Sequence, residues 1–325
     1  MSKPKVYVTR RLPKIALDMI AAECEMDVNP HDRVMTREEL EKAIQGIDGM
    51  VCLLTDNIDA SLLDLNPNLK VLANYAVGFN NIDVEACTQR KIPVTNTPGV
   101  LTETSADLAW SLVMSVARRI PEADRFTREG KFKGWGPMLL LGGDVYGKTL
   151  GVVGLGRIGQ AIIKRAKGFD MKIIYYNTRR KSEEEEKALG VEYREFDDLI
   201  KEADFISLHL PLMPETEHLI GEREFKMMKK TAYLINTARG PVVDEKALVK
   251  ALQEKEIAGA GLDVYEEEPE LAEGLVGLDN VVLLPHIASA SIETRTKMGI
   301  MAAENLLAGL KGERMPNLLN PEALK

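Results

Sequence analysis

The chain contains 325 residues, of which 45% are hydrophobic and 28% charged, and its formal net charge at pH 7 is −8. This length predicts about two domains, and the composition is typical of a globular protein with enough apolar material for large cores. The acidic balance repels nucleic acid and anionic membranes, and no apolar run is long enough to span a membrane. We therefore expect a cytoplasmic protein that binds neither nucleic acid nor membrane.

The cysteines are few and widely spaced. Cys24, Cys52 and Cys87 form no Cys-x-x-Cys pair, and no histidine pair lies near them. Metal sites and redox motifs depend on such spacing. We therefore expect three buried, reduced thiols and no metal site.

Short apolar runs alternate with helical patterns through the first hundred residues. Strands are predicted at residues 6–9, 49–54, 69–73 and 93–95, with helices at 15–22, 61–65 and 83–90. This alternation predicts a parallel sheet covered by helices on both faces. A long helix is predicted from about residue 102 to 118, and Pro121 ends or kinks it.

Residues 126–146 have no clear period and are rich in glycine, yet they carry large apolar side chains such as Phe132, Trp135 and Met138. An irregular segment this apolar must be covered by something. A symmetric partner subunit is one candidate. The alternative is an arm folded over its own domain.

A glycine-rich turn follows the strand predicted at residues 149–153. It comprises Gly154, Leu155, Gly156, Arg157, Ile158 and Gly159, and a helical pattern and a second strand at residues 171–176 come after it. A Gly-x-Gly-x-x-Gly between strand and helix is typical of dinucleotide binding. Gly154 would make the turn, Gly156 would admit a pyrophosphate, and Gly159 would let the helix pack on the strand. The free N–H groups and the dipole of the helix would then attract the phosphates.

The alternation of strands and helices continues to the end of the chain. Strands are predicted at residues 205–208, 232–236, 257–262 and 281–284, and helices at 183–189, 244–254 and 293–310. Four consecutive glutamates at residues 183–186 indicate a solvated helix start.

Reactive side chains directly follow three of these strands. Arg239 follows one strand, Asp263 and Glu268 follow the next, and His286 follows the last. Ligands of open α/β sheets bind beyond the carboxyl ends of the strands. Beside a nicotinamide, an imidazolium can protonate the oxygen of a ketone, and a carboxylate on its far nitrogen keeps the ring oriented and charged. A guanidinium clamps a substrate carboxylate, so this site would select 2-oxo acids.

The chain has only four histidines. His31 and His218 lie in polar loops and are expected at the surface. His209 also follows a strand and competes with His286 for the catalytic role, but we expect it to line the cofactor groove. A buried structural histidine is the alternative for His286.

Together these residues resemble the D-isomer-specific 2-hydroxyacid dehydrogenases, and most closely their glyoxylate/hydroxypyruvate reductase branch. The similarity covers essentially the whole chain. It is carried by the glycine turn, by residues 236–244 with their Thr-Ala-Arg-Gly core, by Asp263 and Glu268-Pro269, by Leu284-Pro285-His286, and by an N-terminal match at residues 73–83.

The resemblance implies a catalytic trio of Arg239, Glu268 and His286, in which His286 is the proton donor. It also implies that the backbone N–H groups of Val77 and Gly78 receive the substrate carboxylate, and that Leu53, Arg239 and His286 line the substrate. An anion nest at this turn fits that role, although an ordinary glycine turn is the alternative.

The same resemblance implies a set of cofactor contacts. Asp263 would hold the nicotinamide carboxamide, and Thr104 would approach the cofactor from the long helix. The full set comprises Thr104, the turn Gly154, Leu155, Gly156, Arg157, Ile158 and Gly159, then Asn177, Thr178, Arg179, Arg180, His209, Thr237, Ala238, Arg239, Asp263, His286 and Ala288.

The family also predicts the domain organisation. Residues 1–98 plus 289–325 would form a discontinuous, flavodoxin-like substrate-binding domain. Residues 99–288 would form a doubly wound NAD(P)-binding Rossmann domain with a dimerisation arm at about 120–147. Both would be α/β domains with parallel sheets, and the cleft between them would close on substrate. A homodimer joined through the cofactor domain is expected.

The cofactor preference depends on the residues about 20 positions after the glycine turn, where an acidic residue would bind the ribose of NAD. Here Asn177 takes that place and Thr178, Arg179 and Arg180 follow it. Losing the carboxylate and adding cations favours the 2′-phosphate of NADP(H), whereas NAD(H) stays possible if the basic turn is merely solvated. Whether Arg179 or Arg180 makes the contact is open.

The expected activity is therefore the NADPH-dependent reduction of glyoxylate and hydroxypyruvate to glycolate and D-glycerate. Another D-2-hydroxyacid dehydrogenase, of the D-lactate or phosphoglycerate type, is the alternative. A non-enzymatic, nicotinamide-sensing protein similar to a corepressor is a further one, but the intact trio and the lack of interaction tails argue against it.

Overall fold

The computed structural model describes residues 2–325, and the chain divides into two compact units. The first unit comprises the chain up to Leu101 together with Ala290–Lys325, and the second comprises Thr102–Ser289. Each unit contains one parallel sheet and the helices that pack on it. The predicted fold class, two Rossmann-like α/β domains, is confirmed.

The sheet of the first unit has five parallel strands in the order β2-β1-β3-β4-β5. The strands are β1 (Lys5–Val8), β2 (Glu25–Val28), β3 (Gly49–Cys52), β4 (Val71–Asn74) and β5 (Val94–Thr95). The helices between and after them are α1 (Lys14–Glu23), α2 (Arg37–Ala43), α3 (Ala60–Leu63) and α4 (Val84–Gln89).

Successive residues of a strand point to opposite faces of its sheet, and both faces of this sheet are buried. Val71 and Ala73 pack into one core with α1, whereas Leu72 packs into a second core with α2, α3 and α4. Strands buried on both sides are near-continuous apolar runs, which is why the sequence identifies β3 and β4 clearly.

The second unit begins with two helices and continues as a seven-stranded parallel sheet in the order β12-β11-β10-β9-β6-β7-β8. The helices are α5 (Thr102–Ala117), α6 (Ile120–Arg128), α7 (Arg157–Lys167), α8 (Glu183–Leu189), α9 (Phe196–Glu202), α10 (Glu222–Met227) and α11 (Glu245–Gln253). The strands are β6 (Thr149–Val153), β7 (Lys172–Tyr176), β8 (Glu192–Tyr193), β9 (Phe205–Leu208), β10 (Tyr233–Asn236), β11 (Gly259–Leu262) and β12 (Val281–Leu283).

The chain returns to the first unit through α12 (Ile292–Lys311). Met298, Ala302 and Leu306 of this helix are buried in the core that also contains α1. The tail that follows is tied to β5, since Leu319 N–H donates to Val94 O at 2.8 Å and the Asn320 side chain accepts from Val94 N–H at 2.7 Å. The C-terminal residues therefore complete the core of the first unit.

Several elements escape the sequence prediction. The missed elements are β2, β8, α2, α6, α9 and α10, none longer than nine residues, and their polar residues obscure the apolar period. Pro121 does not kink α5. The helix ends at Ala117, Arg119 adopts a left-handed conformation (φ 53°), and Pro121 lies in the first turn of α6, where the missing N–H costs nothing.

The predicted irregular segment begins at residue 129 and not at 126, because residues 126–128 belong to α6. It has no regular structure before β6, and it is not folded over its own domain. Its apolar side chains point outward: Trp135 is 86% exposed and Met138 77%. Gly143 N–H donates to Ala117 O at 2.9 Å and thereby fixes only the end of the segment.

Cys24, Cys52 and Cys87 are buried and unpaired, as expected. Between residues 2 and 325, no helix is both long and apolar enough to cross a membrane. The same residues contain no cluster of three His, Cys, Asp or Glu side chains arranged to hold a metal ion.

Candidate active site

The register of the second sheet brings the predicted site residues to one edge. Asn236 is paired with Leu208 on one side and with Leu262 on the other, and Leu262 is paired with Leu283. These strands are parallel, so the segments that follow them, beginning at 209, 237, 263 and 284, all leave the same edge. Every residue of the predicted catalytic trio lies on one of these segments.

The turn that carries Arg239 is fixed by Asn236. The buried Asn236 amide donates to Arg239 O at 2.9 Å, and its oxygen accepts from Ala238 N–H at 3.0 Å. The Arg239 guanidinium donates to Ala238 O at 2.7 Å and to no other group among residues 2–325. Its remaining N–H groups are thus available to a ligand.

Glu268 and His286 form the pair that the sequence predicts. His286 Nδ1 and Glu268 Oε2 are 2.8 Å apart, and each side chain is about one-third exposed. With Nδ1–H donated to the carboxylate, Nε2 is the free nitrogen of the ring, and it has no partner in the described chain. An imidazole held in this way can pass a proton to a ligand through Nε2.

The charges of the trio act on one another. Burial alone would raise the pKa of Glu268, but the hydrogen bond and charge of His286, the Tyr265 N–H and the charge of Arg239 lower that pKa below its ordinary value. Burial lowers the pKa of Arg239, and the charge of Glu268 opposes this shift. Glu268 is therefore the ionised member of its pair with His286, and its charge also acts on the Arg239 guanidinium.

Asp263 holds the segment that contains His286. Its fully buried carboxylate accepts from Ile287 N–H and Ala288 N–H, both at 2.7 Å. Burial raises the pKa of Asp263, and these two N–H groups oppose that shift. His286 itself has a left-handed backbone (φ 54°), which a non-glycine residue keeps only where its surroundings impose it. This support for His286 was not predicted from the sequence.

Tyr265 connects the loop of Glu268 to the strand end before His286. Its hydroxyl donates to Leu284 O at 2.9 Å, and its N–H donates to Glu268 Oε1 at 3.1 Å. The Tyr265 carbonyl also lies directly against Gly240, where any Cβ would collide with it. Glycine at 240 therefore lets the Arg239 turn and the Glu268 loop approach each other.

The glycine turn fits the dinucleotide role predicted for it. Gly154 has φ +95°, and a Cβ there would meet His209 O, whereas a Cβ on Gly159 would collide with Gly154 O. Gly156 faces open space and precedes the first residue of α7 with no side-chain cap. Arg157 and Ile158 lie in the first turn of α7, whose uncapped N–H groups suit a phosphate.

In the loop after β7, Arg179 and Arg180 have different surroundings, although the sequence alone does not distinguish them. Arg180 donates to both oxygens of the buried Glu186 carboxylate, at 2.8 and 2.9 Å, and its guanidinium lies 5.1 Å from the centre of the Tyr193 ring. The Arg179 side chain is exposed and has no partner in residues 2–325. The expectation of a wholly solvated glutamate run is thus wrong at Glu186, which is 8% exposed.

The Asn177 side chain is hydrogen-bonded to backbone groups of the protein at both its oxygen and its nitrogen. Its oxygen accepts from Leu155 N–H at 3.3 Å, and its amide donates to Arg179 O at 3.0 Å. It therefore ties the glycine turn to the arginine loop. Thr178 is exposed on that loop.

The other predicted cofactor residues lie on the second unit as well. His209 Nε2 is 2.8 Å from Ser207 Oγ, and burial lowers the pKa of His209 to about 4, so this ring is neutral at pH 7. The Thr237 hydroxyl is buried without a partner among the described residues. Since buried polar groups are normally hydrogen-bonded, this hydroxyl is available to a ligand. Thr104 lies in the first turn of α5.

The predicted substrate-binding residues Leu53, Val77 and Gly78 lie on the first unit, beyond the carboxyl ends of β3 and β4. The N–H groups of Val77 and Gly78 donate to no acceptor in residues 2–325. Free, adjacent N–H groups in a turn are suited to an anion. Their role in substrate binding stays a prediction.

The chain is similar to several known proteins. A family model described as the NAD binding domain of D-isomer specific 2-hydroxyacid dehydrogenase matches residues 110–288. A glyoxylate reductase of Korarchaeum cryptofilum (strain OPF8) is 54% identical over 325 residues, a match that covers 99% of this chain and 98% of that protein.

Two solved structures are similar over nearly the whole chain. A protein of Thermus thermophilus is 44% identical with a TM-score of 0.91, and the match covers 97% of this chain and 99% of that one. An NADPH-dependent glyoxylate/hydroxypyruvate reductase of Sinorhizobium meliloti, in complex with NADP and malonate, is 32% identical with a TM-score of 0.86, covering 99% and 98% of the two chains.

Proposed function

Because the chain belongs to the D-isomer specific 2-hydroxyacid dehydrogenase family, we propose that it reduces glyoxylate and hydroxypyruvate to glycolate and D-glycerate, with NADPH as the preferred reductant. The chain is an NAD(P)-dependent oxidoreductase that acts on CH–OH groups. The observation that carries the proposal is the 2.8 Å contact between His286 and Glu268, on the same sheet edge as a guanidinium with unused N–H groups.

Arg239, His286 and Glu268 have separate roles in the proposed reduction. The nicotinamide, when bound, supplies the hydride. Arg239 binds the substrate carboxylate and polarises the carbonyl through N–H groups that the protein leaves free. His286 donates the proton on Nε2 to the carbonyl oxygen, and Glu268 keeps the ring oriented and stabilises its charged form.

The two units have separate roles in this proposal. The second unit is the nicotinamide-binding domain, since it carries the glycine turn, the free Thr237 hydroxyl and the catalytic trio. The first unit is the substrate-binding domain, in which the Val77 and Gly78 N–H groups receive the substrate carboxylate beside Leu53.

The preference for NADPH is assigned to Arg179. Arg180 is neutralised by Glu186 and packed on Tyr193, whereas the Arg179 side chain is free to meet the 2′-phosphate. In addition, Asn177 occupies the position at which an acidic side chain would bind the ribose 2′-hydroxyl of NAD.

A spectrophotometric assay tests the proposed reaction. NADPH and NADH oxidation is followed with glyoxylate, hydroxypyruvate, pyruvate and phenylpyruvate. We expect the highest kcat/KM with glyoxylate or hydroxypyruvate and NADPH. No turnover with any of these acids would favour the binding-protein alternative, and a tenfold advantage of NADH would refute the proposed cofactor preference.

Arg179→Ala and Arg180→Ala form a matched pair for the cofactor assignment. Losing one charge-assisted contact to a phosphate raises the Kd of NADPH by about tenfold in Arg179→Ala, with little change for NADH. Arg180→Ala has the smaller effect on NADPH, because its guanidinium already serves Glu186. Nucleotide titrations monitored by intrinsic fluorescence measure both; equal losses in the two variants contradict the assignment.

We also propose a homodimer in which the exposed segment of residues 129–147 is covered by a second copy. Exposed clusters of large apolar side chains such as Trp135 and Met138 are typical of interfaces. Sedimentation velocity tests this, with a dimer expected and a monomer at micromolar concentration contradicting it.

A further inference from the structure

The carbonyl groups of the predicted substrate-binding turn are held by asparagine side chains. The Asn96 amide donates to Val77 O at 2.8 Å, and the Asn74 amide donates to Gly78 O at 2.9 Å. A third asparagine, Asn81, donates to Leu53 O at 2.9 Å. Each predicted substrate-binding residue of the first unit thus has its carbonyl fixed by a separate amide.

The contact from Asn96 determines where a neighbouring N–H group points. The carbonyl of Val77 and the N–H of Gly78 belong to the same trans peptide, in which C=O and N–H point in opposite directions. Holding Val77 O toward Asn96 therefore turns the Gly78 N–H away from it.

The preceding peptide is fixed from the same side. Thr97 N–H donates to Ala76 O at 2.8 Å, which turns the Val77 N–H away from residues 96–97. Two successive N–H groups consequently leave the turn on the side opposite to the end of β5. This is the arrangement that binds an anion.

Asn96 is itself rigidly placed. Its side chain is buried, with the residue 7% exposed, and its N–H donates to Asn317 O at 3.3 Å. The Asn305 amide on α12 donates to Asn96 O at 3.4 Å. Because the N–H and the C=O of Asn96 are both hydrogen-bonded, its side-chain amide has a fixed position and can hold the Val77 carbonyl in one orientation.

We propose that Asn96 is a positioning residue for substrate: it binds the Val77 carbonyl and so aims the Gly78 N–H at the carboxylate of a small 2-oxo acid. The inference rests on the proposed function for the identity of that acid. Asn96 itself does not touch the substrate. Its role is specific for the carboxylate and independent of the nicotinamide, because the residues involved all belong to the first unit.

Asn96→Asp tests the inference, because it keeps the shape of the side chain but places an acceptor against Val77 O. The peptide between Val77 and Gly78 then loses its orientation. Contacts made equally in the ground state and the transition state appear in KM, so the KM for glyoxylate rises about ten- to a hundredfold while kcat changes by less than about threefold. The Kd of NADPH is unchanged.

Asn66→Asp is the matched control. Asn66 is also a buried asparagine of the first unit, 3% exposed, and its amide donates to two carbonyls, Ile44 O and Ile47 O, both at 2.8 Å. It lies before β4, at the amino end of the strands. Its substitution lowers the melting temperature and leaves the KM for glyoxylate within about twofold of the unaltered protein.

The decisive measurement is the Kd of oxamate, a non-reacting analogue of a 2-oxo acid, for the NADPH-loaded protein. Weaker oxamate binding in Asn96→Asp but not in Asn66→Asp supports the inference, and equal values in both variants overturn it. If Asn96→Asp does not fold, Asn96→Ala and Asn66→Ala give the same comparison. Oxamate binding needs no turnover, so an unaltered protein that binds oxamate but does not reduce glyoxylate refutes the proposed function alone.

Discussion

The carboxyl edges of the two sheets use polar groups in opposite ways. At the carboxyl edge of the second unit's sheet, the side chains of Arg239 and His286 keep hydrogen-bonding groups free. At the edge of the first unit, amide side chains such as Asn74 and Asn96 are used internally, and the free groups are backbone N–Hs. Under the proposed function, the same fold class therefore places chemistry in side chains at one edge and substrate recognition in the backbone at the other.

The largest expected effect is a loss of kcat on substitution of His286, which lies at the edge of the second unit. We expect that His286→Ala, which removes the proposed proton donor, lowers kcat by about 10²–10⁴-fold, while the Kd of NADPH stays nearly unchanged. His218→Ala is the control, because His218 also contacts a glutamate, Glu266, at 2.7 Å in the same unit. Steady-state kinetics decide the outcome. An active His286→Ala variant would place the chemistry elsewhere.

Glu268→Gln sharpens the same comparison by keeping the hydrogen bond and removing the charge. The pKa of Glu268 lies below its ordinary value, so the carboxylate is ionised at neutral pH and stabilises the protonated ring. In the variant the imidazole loses its proton at lower pH, so the pH profile of reduction moves toward acid and kcat/KM at pH 7.5 falls about tenfold. Glu266→Gln is the control, and an unchanged profile in Glu268→Gln removes Glu268 from this role.

The smallest expected effect concerns the backbone at the carboxyl edge of the second unit's sheet. In Gly240→Ala the new methyl group collides with Tyr265 O and separates the Arg239 turn from the Glu268 loop. We expect the melting temperature to fall by roughly 3–10 °C. Gly277→Ala is the control. Gly240 begins the short 3₁₀ helix Gly240–Val242, and Gly277 lies in a similar one, Leu275–Gly277, but has open space around its Cβ. Calorimetry would contradict the explanation if both variants melted alike.

The sequence is sufficient to predict which side chains meet at the carboxyl edge of the second unit's sheet, because these reactive residues directly follow buried strands. Arg239, Glu268 and His286 are chemically conspicuous, and the apolar strands before them are easy to recognise. The pairing of Glu268 with His286 follows from strand adjacency once the sheet order is known. For this reason the fold class and the trio needed little more than local patterns and the family resemblance.

The supporting contacts could not be predicted in this way. Asn96 and Val77 are distant in sequence, and neither residue type signals their hydrogen bond. Glu186 belongs to a run of glutamates that suggests solvent, but it is buried because Tyr175 and Arg180 both bind it. Such contacts depend on side-chain directions that only the packed structure defines.

The interrupted path of the chain also has a consequence for synthesis on the ribosome. Val71 and Ala73 are made early, yet α12, which buries the face they share, is translated only after the whole of the second unit. The continuous second unit can fold while the first still displays an apolar sheet face. The core of the first unit can therefore close only after the second unit has been translated, and until then the face formed by Val71 and Ala73 is accessible to chaperones.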